Sequence, residues 1–176
     1  CQAMADLLTI YEKKGKKKHI KVAYVGDGNN VAHSLIYTLT RVGIDFTIAV
    51  PKGYDPDKDV TARGREDAAA AGSDFRIVRR PGQAVKDADV VYTDVWVSMG
   101  MEKEERERRS AFKGFIVTPE LMARAKPDAI FMHDLPAHRG EEVHEDVMES
   151  PQSVIFDQAE NRLHAQKAIL TLLCGD

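Results

Sequence analysis

The feature that most constrains this chain is a repeated switch between short β-branched apolar runs and stretches with helical spacing. Ile20-Lys21-Val22-Ala23-Tyr24-Val25 reads as a strand, and Val31 to Val42 returns to helical spacing. Phe46-Thr47-Ile48-Ala49-Val50 is a second strand, stopped by Pro51. The unit then repeats: a helix over 58–71 ends at Gly72, a strand over 75–78 follows, and Val85 opens a short helix. Val90-Val91-Tyr92 and Ala129-Ile130-Phe131-Met132 are further strands. Between them, residues 102–112 form a charged helix and Thr118-Pro119-Glu120 caps a helix through Ala125. Glu141 to Met148 reads as a helix, Val154-Ile155-Phe156 as a late short strand, and Gln158 to Leu173 as a closing helix. At the other end, Met4, Leu7, Leu8 and Tyr11 predict an amphipathic helix over 2–14 with Gly15 as its C-cap. The lysines from Lys13 to Lys18 are a solvated helix end that the macrodipole favours.

Strands alternating with helices at this spacing imply βαβ units with right-handed crossovers. The predicted fold class is α/β: a Rossmann-like three-layer domain, with a mostly parallel five-stranded sheet and helices on both faces. One domain spans 1–176, long enough to bury a substantial core. The terminal helices, about 1–15 and 158–174, carry apolar stripes that such a domain does not need. Both are therefore expected to dock on a second domain absent from this chain. The opening Cys1-Gln2-Ala3-Met4, already in helical pattern without a start Met or a cap, carries the same expectation.

Composition excludes several classes. With 43% hydrophobic and 30% charged residues the chain is globular rather than disordered. A net charge of −3 gives no nucleic-acid footprint. No apolar run approaches the roughly 20 residues of a membrane span. Cys1 and Cys174 lie at opposite ends without metal-ligand spacing. Two cysteines and no signal peptide fit the cytoplasm, and no metal or cofactor is expected.

The chemistry gathers just after three strands, where parallel sheets present ligand groups. Gly26-Asp27-Gly28-Asn29-Asn30 follows the first strand and precedes a helix. It lacks the third glycine of a dinucleotide turn, since Val31 stands there, and the second strand ends Val50-Pro51-Lys52 with no acid for a ribose. Asn29 or Asn30 is an N-cap, and Asn30 sits where backbone N–H groups favour an anion such as a carboxylate. Asp94-Val95-Trp96-Val97-Ser98-Met99-Gly100 follows another strand; Asp94 is a turn residue or, with Ser98, a partner for an ammonium group. His133-Asp134-Leu135-Pro136-Ala137-His138-Arg139-Gly140 follows a third. His133 there holds the loop through hydrogen bonds or takes part in chemistry, and His138 and Arg139 are loop or rim residues.

Together these segments resemble the ornithine carbamoyltransferases over essentially the whole chain. Asp94 to Gly100 resembles their D-x-W-x-S-M-G loop, and Gly26 to Asn30, with Ser34 after it, their G-D-G-N-N turn. His133-Asp134-Leu135-Pro136 is similar to their H-C-L-P signature except at one position. Ala159-Glu160-Asn161-Arg162 resembles their A-E-N-R segment, and Gln2 is placed like the Gln of H-P-x-Q. The resemblance implies the amino-acid-binding half of a two-domain transferase, built on a homotrimer or a multiple of trimers. It implies carbamoyl transfer from carbamoyl phosphate to the δ-amine of L-ornithine, in arginine biosynthesis. Asn30, Asp94, Ser98 and Met99 would contact ornithine. Gln2, Asp134, Leu135 and Arg162 would contact carbamoyl phosphate. Asp134 and His133 would be the catalytic groups, and the charged run Glu102 to Arg109 a lid. Another amine acceptor such as putrescine, or a non-catalytic amino-acid-binding module, are the competing readings.

Asp134 departs from the pattern, because the family has Cys there. That side chain faces an amine that must be neutral to attack, and freeing its lone pair from a pKa near 10.4 costs roughly 4–5 kcal/mol at neutral pH. A nearby carboxylate stabilises the ammonium, and at about pKa 3.9 it is a weak base unless burial lifts it. The sequence therefore predicts an alkaline-shifted optimum or reduced turnover relative to an Asp134→Cys protein.

Overall fold

Among the described residues, five strands form one all-parallel sheet: β1 (Lys21–Val25), β2 (Asp45–Ala49), β3 (Phe75–Val78), β4 (Val90–Thr93) and β5 (Ile130–His133), in the order β3-β2-β1-β4-β5. The computed structural model describes every residue except Lys18, Ser98, Met99, Met101 and Asp176. The helices are α1 (Gln2–Lys14), α2 (Asn30–Arg41), α3 (Lys58–Ala71), α4 (Pro81–Val85), α5 (Glu105–Ala111), α6 (Pro119–Met122), α7 (Glu145–Met148) and α8 (Ile155–Cys174).

Alternate strand residues feed two separate cores, which is why the strands read as nearly continuous apolar runs. Val22, Tyr24, Val90, Tyr92 and Met132 face Leu7 and Ile10 of α1 and Leu35, Ile36 and Leu39 of α2. Ala23, Val25, Val91 and Phe131 face Val85, Phe112, Val117 and Val147 on the opposite side. The chain steps outward from β1 to β3, then returns to lay β4 on the other flank of β1. This reversal makes the carboxyl ends of β1 and β4 the place where such a sheet opens a crevice. Register fixes what stands there: Val25 lies beside Thr93, and Thr93 beside His133. The turns after these three strands therefore start abreast.

Several element boundaries differ from expectation. Val154-Ile155-Phe156 is not a strand: only a single bridge joins Phe131 to Ser153, and α8 begins at Ile155. Ile155 is buried and Phe156 is 75% exposed, as on a helix with one inner face. Val85 ends α4 rather than opening it, because Pro81 supplies the preset first turn. Thr118 caps α6 as predicted, its Oγ1 accepting from the Leu121 N–H at 3.2 Å, but the helix stops at Met122. Residues 141–144 form a loop, and α7 starts only after His144 caps it. Residues 102–104 make a 3₁₀ turn that leads into α5.

The terminal helices pack on one another and on the sheet. α1 buries Ala3, Asp6, Leu7 and Ile10, and α8 buries Ile155, Gln158, Asn161 and Ala165. Outward, α8 leaves Leu163, Leu170, Leu172 and Leu173 between 59% and 84% exposed. Among the described residues, no helix is long and apolar enough to cross a membrane.

Candidate functional site

The turn after β1 is shaped by close backbone approach. A Cβ on Gly28 would fall on the backbone of Tyr54 to Pro56, and the Gly28 N–H donates to Tyr54 O at 3.0 Å. The chain then enters α2 with Asn29 as its N-cap, its Oδ1 accepting from Val31 N–H (3.0 Å) and Ala32 N–H (3.2 Å). Capping leaves the amide nitrogen free, and Asn29 Nδ2 donates to Asp94 Oδ2 at 2.7 Å. One asparagine thus ends the β1 turn and fastens the β4 turn. Asn30, next along, is exposed at the start of α2. It lines an open cleft of about 900 Å³ with Asp27, Lys52, Tyr54 and Arg108.

Asp94 is 6% exposed, and its second oxygen accepts the Val95 N–H at 2.7 Å. Ser98 and Met99, expected to complete this loop, lie outside the described residues. Asp134 stands beside Asp94 at the end of β5, with its side chain 15% exposed. Burial chiefly, then the charges of Asp94 and Asp6, push its carboxyl up to about 8.

His133 is fully buried, and both ring nitrogens are occupied. Nδ1 accepts the Leu135 N–H at 2.9 Å, which leaves the proton on Nε2 to donate to Glu142 Oε1 at 3.2 Å. Glu142 Oε1 also accepts the His138 N–H at 2.6 Å. Leu135 adopts a left-handed backbone, φ 58°, which is unfavourable for a residue with a Cβ and is held there by the His133 ring. The imidazole is thereby a positioning group for the loop. His138 and Arg139 lie on the exposed rim.

Gln2 and Arg162, from opposite ends of the chain, meet: Arg162 Nη1 donates to Gln2 Oε1 at 2.8 Å. Their contact continues inward. Gln2 Nε2 donates to Asp6 Oδ1 (2.8 Å), as does Gln158 Nε2 (2.7 Å), and Tyr92 Oη donates to Asp6 Oδ2 (3.2 Å). Gln158 Oε1 then accepts the His133 N–H at 2.9 Å. A chain of hydrogen bonds thus runs from Arg162 to the β5 turn. Burial raises the Asp6 carboxyl to about 6 against these three donors. Asp6 and Gln158 were not singled out from the sequence. The signal was there, because each interrupts the apolar stripe of its helix with a polar residue.

Within the charged run expected as a helix or a lid, Arg108 of α5 is only 7% exposed. Its Nη1 reaches Asp27 Oδ2 at 2.6 Å and Trp96 O at 3.2 Å, and its guanidinium lies 5.2 Å over the Tyr54 ring. Arg109 of α5 pairs with Glu141 at 2.8 Å. The segment that follows the β4 loop is thereby tied to the turns after β1 and β5.

Among the described residues, two groups of side chains bring possible metal-ligand atoms within 4.8 Å of one another: Asp94, His133 and Asp134, and His138, Glu141 and Glu142. In the first, His133 Nδ1 is engaged by Leu135, and in the second Glu141 is paired with Arg109, so neither presents an open ligand set.

Comparison with known proteins agrees with this arrangement. Residues 18–173 match the family model described as aspartate/ornithine carbamoyltransferase, Asp/Orn binding domain. A Pyrococcus furiosus protein named ornithine carbamoyltransferase, anabolic, is 58% identical over 99% of this chain and 56% of its own length. A Methanosphaera stadtmanae ornithine carbamoyltransferase is 54% identical over 97% of this chain and 56% of its own. The solved ornithine carbamoyltransferase of P. furiosus superposes with a TM-score of 0.93 at 59% identity, covering 98% of this chain and 55% of that one. The anabolic enzyme of Campylobacter jejuni superposes with a TM-score of 0.94 at 39% identity, covering 98% and 57%. The chain spans about half the length of the curated relatives it matches. With the model matched across nearly its whole length, the chain belongs to the aspartate/ornithine carbamoyltransferase family and comprises its Asp/Orn binding domain.

Proposed function

We propose that the whole protein transfers the carbamoyl group of carbamoyl phosphate to the δ-amine of L-ornithine, giving L-citrulline and phosphate, and that this chain is the half that binds ornithine. The observation that carries this is the meeting of three turns at the β1/β4 reversal. They present Asn30 at the start of α2, next to the Asn29 that holds Asp94, with Asp134 beside Asp94. An amino acid with a cationic side chain needs such a set: the Asn30 side-chain amide for its α-carboxylate, and carboxylates for two ammonium groups.

Ornithine would lie with its α-carboxylate at Asn30, its α-ammonium at Asp94, Ser98 and Met99, and its δ-amine facing Asp134. Gln2, Arg162 and the Leu135 backbone are proposed to meet carbamoyl phosphate; an Arg fork suits phosphate, and with its N–H spent on His133, Leu135 has its carbonyl left to accept from the carbamoyl NH2. The acceleration would come largely from holding two substrates in contact, with donors aimed at the departing phosphate. The exposed leucines of α8 would dock on the carbamoyl-phosphate half, and the assembly would be a homotrimer or a multiple of it. Two free, exposed cysteines fit a cytoplasmic enzyme. The name of the P. furiosus relative favours the biosynthetic direction.

The test is a citrulline assay on the whole protein with ornithine and putrescine as competing acceptors. Citrulline formed in preference to carbamoyl-putrescine is the expected result. Transfer to putrescine alone, or ornithine bound without product, would overturn it.

A further inference from the structure

We propose that Asp134 takes the proton from the side-chain ammonium of the diamino-acid substrate, with Asp94 as the paired carboxylate that makes it basic enough to do so. The proposal rests on the function proposed above. Its foundation is the register of the sheet: because Thr93 lies beside His133, the next residues, Asp94 and Asp134, stand side by side, with carboxylate oxygens within 4.8 Å.

The two are not equivalent. Asp94 is held by two N–H donors, Asn29 Nδ2 and the Val95 amide, each at 2.7 Å. Asp134 Oδ1 is buried without a hydrogen-bond partner among the described residues. Asp6 approaches from α1, the Tyr24 and Tyr92 hydroxyls share the site, and the His133 ring lies 3.7 Å away at Nδ1, the nitrogen that accepts the Leu135 N–H. Among the described residues, no lysine or arginine is ion-paired with Asp134 or Asp94. Two buried carboxylates abreast do not both ionise readily, so the pair holds one proton, and the donor count puts it on Asp134.

This reverses the expectation drawn from the bare substitution. A free aspartate is too weak a base for an amine with a pKa near 10.4, but at about 8 this carboxyl is some four powers of ten more basic than an ordinary aspartate. It comes close to the thiol it replaces, whose ordinary value is about 8.5. In the step, an N–H bond of the ammonium breaks and an O–H bond forms on Asp134. The freed lone pair attacks the carbamoyl carbon of carbamoyl phosphate. The C–O bond to phosphate breaks, its electron pair leaves with the phosphate, and the phosphate takes the second amine proton.

Infrared spectroscopy of the substrate-free chain tests the pair. The expected result is a protonated-carboxyl C=O band at pH 7 that disappears with a midpoint near 8, is absent in Asp134→Asn, and shifts to lower pH in Asp94→Asn. In the whole protein, citrulline formation should rise with pH through the same midpoint. Asp134→Cys should keep that profile, and Asp134→Asn should lose about 100-fold or more in kcat together with the rising limb. Should Asp134→Asn not fold, Asp134→Cys supplies the spectroscopic control. No acid band at pH 7 overturns the proposal, as does citrulline formation by Asp134→Asn with an unchanged profile. No citrulline from the wild type would overturn the proposed function, and this proposal with it.

Discussion

Arg108 and Asp27 form a buried ion pair, Nη1 to Oδ2 at 2.6 Å, with both side chains less than a tenth exposed. It joins α5 to the turn after β1, and burial raises the Asp27 carboxyl while Arg108 opposes that rise. Removing one partner strands the other. Arg108→Met is expected to destabilise the chain by about 3–5 kcal/mol, and Arg108→Met with Asp27→Leu by much less. Urea unfolding of the single and double variants measures this; equal losses in the two would contradict it.

Asn29 has two tasks at once, capping α2 and holding Asp94. Asn29→Asp keeps the cap but places a third carboxylate against Asp94; Asn29→Ala loses both. The alanine variant is expected to lose about 1 kcal/mol for the cap alone. Both variants should raise the KM for ornithine, and the aspartate variant should keep the cap's share of the stability. Thermal unfolding and steady-state kinetics separate the two effects.

Gly64 lies inside α3, where alanine ordinarily gains about 1 kcal/mol. Here a Cβ would strike the Ile36 side chain, which is fully buried and β-branched and so cannot turn aside. Gly64→Ala should therefore lose about 1–3 kcal/mol by overpacking. A more stable variant in chemical denaturation would refute the close α2–α3 contact.

The Asp134 carboxyl also makes stability depend on pH. Its folded value, about 8, lies above the ordinary 3.8, so its contribution is complete below about pH 4 and is lost as pH rises through 8. Asp134→Asn should gain about 2–5 kcal/mol on the wild type between pH 4 and pH 9. Denaturant midpoints at the two pH values decide it, and a constant difference would contradict the raised value.

The strands and the long helices were legible because their signals are local: apolar, largely β-branched runs for β1 to β5, and Gly72 after α3. Val154-Ile155-Phe156 misled because a short apolar triplet has no period of its own, and only the Phe131 bridge and the inward turn of Ile155 decide its state. The three site turns could be found from their position after strands. Their mutual geometry could not, because Asp94 and Asp134 become neighbours only through the order β1-β4-β5 and its register. The same holds for Arg108, which is one arginine among several in its run until the fold sets it against Asp27.

The turns after β1, β4 and β5 are proposed to form the ornithine pocket. The most direct test is the pair of Michaelis constants for Asn30→Ala and Asp94→Ala in the whole protein. The KM for ornithine should rise at least tenfold in each, and the KM for carbamoyl phosphate should change less than twofold. An unchanged ornithine KM, or a rise confined to carbamoyl phosphate, would contradict the account.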